Sequence, residues 1–250
     1  MPYGLYIAAE GAHAQAKRLE VIANNLANVD TAGFKRQLAI FQARYAEAID
    51  QGDDFPGSGS VNQIGGGVLV RDTPTDFAPG PLERTEMPTD AALETEGFFL
   101  VEKDNERYLT RAGNFRLTSR GELVTQQGYP VLGEDGVPIV LPQPARPFDI
   151  NSAGEIIQGG FRRTLAVVKP AQDDVPERVG ENLFRTQTTP ESVPLAERRV
   201  LQGFLERSGV RPALEMLELI EASRLVEANL NLVKAQDQML SGLVQRLLRV

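Results

Sequence analysis

Apolar positions along this chain follow two different periods. Towards the C-terminus Leu219, Val226, Val233, Leu240 and Leu247 recur every seven residues, and Ala222, Leu230, Leu243 and Val244 stand beside that line. A helix presents one apolar seam to a partner helix in this way. Pro212 suits a first helical turn, where its missing N–H would be unpaired anyway. Glu215, Glu218 and Glu221 lie towards the positive end of the helix dipole, with Arg246 and Arg249 at the other end. A helix from Pro212 to Val250 would be roughly 55 Å long at ~1.5 Å per residue and would project from a compact domain. Towards the N-terminus Leu5, Ala12, Leu19 and Leu26 are also seven apart, with Ala8, Ile22 and Val29 three residues after Leu5, Leu19 and Leu26, and Gln15 breaks this second seam. Two seams at opposite ends of the chain predict one pairing, a coiled-coil-like stalk closed by the termini.

The first helix is predicted from Tyr3 to Asn28, and the segment Asn24 to Lys35 looks like its exit. Asn28 and Gly33 fit a helix cap and turn, whereas Asn24 and Asn25 sit inside the helix and need partners if they are buried. A second helical piece is predicted from Gln37 to Asp50, with Ile40, Phe41, Tyr45 and Ile49 on one side. Residues 51–67 are rich in Gly, Ser and Asp and read as a linker. The Gly65-Gly66-Gly67 run has no Lys-Ser or Lys-Thr after it, so a phosphate loop is not indicated.

From Val68 to Arg185 the period changes from helical to extended. Phe98-Phe99-Leu100-Val101, Tyr108-Leu109-Thr110, Phe115-Arg116-Leu117-Thr118, Val137-Pro138-Ile139-Val140-Leu141, Glu155-Ile156-Ile157 and Leu165-Ala166-Val167-Val168 are short runs. Asp104-Asn105, Ala112-Gly113-Asn114, Ser119-Arg120-Gly121 and Glu134-Asp135-Gly136 supply reversals between them. The prediction is an α+β chain. Residues 1–50 and 200–250 form a helical terminal domain, residues 68–185 an antiparallel β domain, and residues 51–67 and 186–199 are linkers.

Composition narrows the chemistry. The 250 residues are 42% apolar and 24% charged, ordinary values for a chain that buries a core. A net charge of −8 with no basic run argues against nucleic-acid binding and against an anionic membrane surface. There are no cysteines, which removes thiolate chemistry, zinc-thiolate sites and disulfides, and His13 is the only histidine, so no two-histidine metal site can form. The acidic pairs Asp53-Asp54 and Asp173-Asp174 lie in turn-like polar segments, and nothing in their spacing selects a glycosidase pair or a calcium loop. No catalytic, metal or cofactor residues are predicted. The N-terminus has no cationic segment before an apolar one, so no cleaved signal peptide is predicted, and no apolar run reaches membrane-spanning length.

Several motifs closely resemble the rod family among the axial proteins of the bacterial flagellum. They are Ala23-Asn24-Asn25-Leu26-Ala27-Asn28-Val29 followed by Thr31 and Gly33-Phe34-Lys35; Gly97-Phe98-Phe99 with Tyr108 to Phe115 and Gly121-Glu122-Leu123-Val124; Gly180-Glu181-Asn182-Leu183-Phe184; and Gln202-Gly203-Phe204-Leu205-Glu206 with Arg224, Glu227, Asn229, Asp237, Met239 and Leu240. The family commonly has Asn where Gly209 stands and an aromatic residue where Val226 stands. The resemblance implies a proximal or distal rod protein, related to the hook protein, exported through the flagellar type III apparatus and polymerised into a tube across the periplasm. Its terminal helices would form an inner coiled-coil-like layer and its β domain an outer one. Its partners would be copies of itself, other rod and hook subunits and the export apparatus. The assembly residues it singles out, together with the two seams, are Leu5, Leu19, Ile22, Asn24, Asn25, Leu26, Asn28, Gly33, Phe34, Leu219, Val226, Asn229, Val233, Asp237, Leu240 and Leu247. The rival reading is a secreted β-domain enzyme or carbohydrate-binding protein dimerised by its terminal helices.

Overall fold

The computed structural model describes residues 3–45, 49, 51–52, 55, 65–172 and 174–247. The chain divides into two compact units. One comprises Met1–Ala27, Gln37–Asp76 and Arg211–Val250; the other comprises Asn28–Arg36 and Phe77–Val210.

The helical unit holds α1, Tyr3–Ala27, and α2, Pro212–Leu247. They run antiparallel. Asn25 meets Glu215 near the base, Arg18 pairs with Glu218 at 3.5 Å, and nearer the free ends Gly11 faces Asn229 and Gly4 faces Gln236. At both glycines the neighbour is a side-chain amide of α2: a Cβ added at Gly4 would lie 2.7 Å from Gln236 Nε2, and one at Gly11 would lie 3.3 Å from Asn229 Oδ1. These contacts place positions 4, 8, 11, 15, 18, 22 and 25 of α1 against α2, a 4-3 cadence in which Ala8, Ile22 and Asn25 are buried. On α2 the facing line is Glu215, Leu219, Ala222, Val226, Asn229, Val233, Gln236 and Leu240, with Glu215 and Ala222 buried and the others half-buried. Leu230, Leu243 and Val244, expected beside the seam, are exposed.

The helix predicted from Gln37 to Asp50 is not formed over its described first part. Ile40–Ala43 is a strand, antiparallel to Val68–Asp72, and residues 46–48 and 50 lie outside the described residues. β-Branched and aromatic side chains at Ile40 and Phe41 suit a pleated surface, and a partner strand settles what a short apolar run leaves ambiguous. The ladder continues where Arg44 N–H donates to Gly67 O and Gly66 N–H donates to Arg44 O. Most of the linker predicted over 51–67 lies outside the described residues. Residues 68–76, expected in the β domain, belong to the helical unit.

The β unit is built on a six-stranded antiparallel sheet. Its order is Glu177–Gly180, Leu183–Arg185, Glu106–Thr110, Phe98–Lys103, Val167–Lys169, Glu191–Ser192. Phe99 and Val101 enter one buried cluster with Leu123, Ile139, Ile156 and Leu165, while Phe98 and Leu100 enter another with Leu109, Leu132 and Phe184. Successive side chains on a strand point to opposite faces, so the run Phe98-Phe99-Leu100-Val101 is continuously apolar because both faces are covered. Smaller pairings surround this sheet, among them Ala91–Leu93 with Val200–Gln202 and Leu82–Arg84 with Phe204–Glu206. Residues 200–210 therefore belong here rather than with α2. Nor is 186–199 a free linker. Glu191–Ser192 edges the main sheet, Val193 is buried, and the buried Arg198 donates from Nε to Val193 O at 2.7 Å and from Nη1 to Leu165 O at 3.2 Å.

The two units have unequal means of staying folded. The facing line of α1 offers Gly4, Ala8, Gly11 and Gln15, and that of α2 offers Asn229 and Gln236, so the helix pair buries little apolar surface against an ordering cost of ~1–2 kcal/mol per residue. In a dilute monomer, amides from Leu5 to Leu26 and from Leu217 to Leu247 should exchange with solvent at nearly unfolded rates, while those from Phe98 to Val124 stay protected. Strong protection of both helices in a verified monomer would mean that the pair is self-sufficient.

Candidate assembly site

Asn25 sits where α1 ends and where the chain returns to the helical unit at Gln37. Its Nδ2 donates to Gln37 O at 2.9 Å and its Oδ1 accepts from Gln37 N–H at 2.9 Å, so the side-chain amide pairs with the backbone as another peptide group would. The same Nδ2 lies 3.4 Å from Glu215 Oε2 in the first turn of α2. One buried amide thus ties the exit of α1, the re-entry of the chain and the start of α2. Asn24, exposed beside it, donates to Gln37 Oε1 at 3.3 Å.

Residues 28–36 form a looped excursion that belongs to the β unit. Thr31 N–H donates to Asn28 O at 3.2 Å and Phe34 N–H to Thr31 O at 3.2 Å, so the segment is a succession of tight turns. Gly33 has φ of +65°, and a Cβ there would lie 2.4 Å from the carbonyl of Arg111, so both backbone conformation and space require glycine. Its N–H donates to Glu206 O at 2.7 Å. Next to it Lys35 is fully buried, and its Nζ donates to Glu206 Oε1 at 2.5 Å and to Ala78 O at 2.8 Å. Glu206 Oε1 also accepts from Gly80 N–H at 2.8 Å, and Arg111 Nη1 stands 3.5 Å from Oε2.

Arg111 is itself buried, with Nη1 donating to Leu93 O at 3.3 Å and Nη2 to Thr95 O at 2.9 Å. Burial pulls its guanidinium below the ordinary value, and the nearby charges of Glu206 and Glu96 oppose that pull. Two guanidinium groups flank an aromatic group formed by Phe77, Phe98 and Phe184: Arg111 lies 5.6 Å from the Phe98 ring centre and Arg178 5.2 Å from that of Phe184. Arg178 also stacks 4.3 Å from the centre of Phe34 and donates to Lys35 O, while Asn182 Nδ2 donates to Ala32 O at 2.9 Å. Asn182 is presented by a tight hairpin in which Glu181 and Asn182 both have positive φ. Hydrogen bonds from Lys103 and Tyr129 hold the Glu181 carboxyl below the ordinary carboxylate range.

The predicted assembly residues thus fall into three groups. Asn28 is half-buried, and Gly33 and Phe34 are buried among residues of their own chain in the β unit. Ile22 and Asn25 are buried, and Leu219, Val226, Asn229, Val233 and Leu240 half-buried, in the helix pair. Leu5, Leu19 and Leu26 are half-buried one position off the line that faces α2, Asn24 and Asp237 are exposed, and the side chain of Leu247 lies outside the described residues. The residues that close the β unit, Lys35, Arg111, Arg178, Asn182 and Glu206, were absent from that prediction. A signal for Glu206 existed: strand alternation puts it on the same face as Phe204.

Segments distant in sequence, 31–35, 110–113, 180–184 and 202–206, are used to hold one architecture together. The family described as "Flagella basal body rod protein" matches residues 5–35, the one described as "Flagellar hook protein FlgE/F/G D1 domain" matches 92–158, and the one described as "Flagellar basal body rod FlgEFG protein C-terminal" matches 201–246. The chain is 30% identical to a flagellar basal-body rod protein FlgF of Caulobacter vibrioides, over 99% of this chain and 98% of that one. It is also 30% identical to a FlgG of Bacillus subtilis, over 96% and 97%, and 33% identical to a FlgF of Rhizobium meliloti, over 90% and 89%. The chain belongs to the flagellar basal-body rod protein family.

Two outcomes follow from the geometry. Glu206→Gln would leave Lys35 and Arg111 buried without an anion, at a cost of ~3–5 kcal/mol, whereas Lys35→Met keeps the Glu206–Arg111 pair and should cost less. Thermal unfolding of the β unit measures both, and equal midpoints for the two variants would contradict this account. Asn25→Ala leaves the Gln37 backbone groups without their partner, at ~1–3 kcal/mol, and should impair swimming more than Gln42→Ala, whose side chain is exposed. Equal swimming at equal expression would mean that the Asn25 clamp is dispensable.

Proposed function

We infer that this chain is a structural subunit of the bacterial flagellar basal-body rod, polymerising into a helical tube that transmits torque. The observation that carries the reading is the apolar surface left uncovered along α2. Leu217, Leu232 and Met239 are 64%, 55% and 62% exposed, and Leu214, Leu225 and Leu243 are exposed as well. So long an uncovered apolar face marks an interaction surface, and a polymer covers it in every copy.

In this reading α1 and α2 form a coiled-coil-like inner layer lining the channel, and the β unit forms the outer layer. The 4-3 cadence on both facing lines supports the pairing. Heterologous contacts repeated by a rotation that does not close give a helical filament. The subunit joins other axial proteins, the rod and hook subunits, in the basal body. It reaches the periplasmic rod through the flagellar export apparatus, and a helix pair that buries little apolar surface suits threading through a narrow channel. Among the described residues no helix is long and apolar enough to cross a membrane.

Val233→Asp tests this directly. Val233 is half-buried on the facing line of α2, and a carboxylate there must be desolvated without a partner, at a cost of several kcal/mol, while the β unit keeps its own core. The variant should abolish swimming and leave the thermal transition of the β unit unchanged. Normal swimming would refute the pairing, and isolated basal bodies without the wild-type chain would refute the rod assignment.

A further inference from the structure

Each terminal helix carries a second apolar seam beside the one that joins the pair. On α1 the line facing α2 runs through positions 4, 8, 11, 15, 18, 22 and 25, and the line one residue later, 5, 9, 12, 16, 19, 23 and 26, is filled only by Leu and Ala. Ala9 and Ala23 on it are exposed and the rest half-buried. On α2 the facing line runs through 226, 229, 233, 236 and 240, and the line one residue earlier, 225, 228, 232, 235 and 239, holds only Leu, Ala and Met, all exposed. Glu218 and Glu221 end this second line on its N-terminal side.

The direction of each offset decides where these seams point. One residue turns a helix by about 100°. The second seam is one residue later on α1 and one earlier on α2, and because the helices are antiparallel both offsets turn in the same sense when viewed from one end of the pair. The facing lines point at each other, so the second seams point to opposite sides. The same helix pair therefore cannot bring its own two second seams together. The strand Val68–Asp72 lies against α1 near Glu10, His13, Ala14 and Lys17, positions away from the second seam, which keeps Ala9 and Ala23 exposed and the rest half-buried.

We propose that the second seam of α2 in one copy packs on the second seam of α1 in the next copy. The inference rests on the rod reading and names the partner of the apolar face described there. A second copy is the occupant because the seams run alongside the existing helix contact and share its cadence. Their sizes also complement each other: Leu225, Leu232 and Met239 project from one, and Ala9, Ala16 and Ala23 leave room on the other. Two different surfaces on opposite sides of one pair make a heterologous contact, which adds copies without closing a dimer.

The chain has no cysteine, so introduced ones report alone. Cells would co-produce two forms, one with Ala9→Cys, Ala16→Cys or Ala23→Cys and the other with Leu225→Cys, Leu232→Cys or Met239→Cys. Swimming before oxidation shows that the variants assemble, and basal bodies isolated after mild oxidation are then analysed for disulfide-linked chains. The expected result is linked dimers from at least one mixed pair, none from any single variant alone, and a ladder of higher multimers when one chain carries both cysteines of that pair. Dimers from a single variant would show a seam meeting itself, and basal bodies that contain the chain without any mixed cross-link would show that the seams do not meet. Either result overturns the proposal and leaves the rod reading standing. Basal bodies that lack the chain would overturn both.

Discussion

The β unit depends on one buried carboxylate. Glu206 takes a hydrogen bond from Lys35 on the excursion after α1, another from the Gly80 N–H before Leu82–Arg84, and faces Arg111 at the end of Glu106–Thr110. Its own carbonyl receives the Gly33 N–H. Three charged side chains at 1–3% exposure are costly to desolvate, and apolar residues of similar volume would often be as stable. What apolar residues lack is direction. Residues 28–36 carry one large apolar anchor, Phe34, and an anchor of that kind fixes a segment's depth more firmly than its register. The charge pair and the Gly33 amide fix which residue meets which, so a segment lying far in sequence from the sheet docks in one way only.

The same logic appears with a neutral group in the helical unit. Asn25 would be an awkward residue in a helix interface if it had to be buried alone. Because residues 28–36 leave and return, the chain brings the Gln37 peptide back beside the last turn of α1, and the amide satisfies both backbone groups at once. The excursion supplies the partner that makes the buried Asn tolerable, and the Asn closes the base of the excursion. Glu215 extends this arrangement to α2 and places a negative charge in its first turn, where the helix dipole favours one.

Much of this was legible in the sequence, and the failures have physical causes. Both terminal helices and most turns between strands follow from spacing and turn chemistry. The helix predicted from Gln37 failed over its first part because Ile40 and Phe41 are as compatible with a strand as with a helix, and the strand that decides the matter, Val68–Asp72, lies on the far side of a long polar stretch. Residues 186–199 looked like a linker because their buried members, Val193 and Arg198, are isolated among polar neighbours, and a guanidinium satisfied by carbonyl groups leaves no periodic trace. Lys35, Arg111 and Glu206 stood in three separate motifs of the family resemblance, but nothing joined them as one buried group, because a charged residue is ordinarily a surface residue and only the fold brings these three together.

The seam of α1 shows a subtler limit. Leu5, Ala12, Leu19 and Leu26 form the strongest heptad in the first helix, and the natural expectation is that the strongest apolar line is the one buried against the nearest partner. Instead the line against α2 is one residue earlier and contains Gly, Gln, Arg and Asn, with Gln15 Oε1 and Gln236 Oε1 buried without a hydrogen-bond partner among the described residues. A contact built for stability alone would have used the leucines there. Small and polar residues occupy the contact and fix its register at Asn25, while the better apolar line is left half-buried, with Ala9 and Ala23 exposed. The heptad in a sequence therefore reports how much apolar surface a helix must eventually cover, and a chain that completes itself only in an assembly need not cover it by folding.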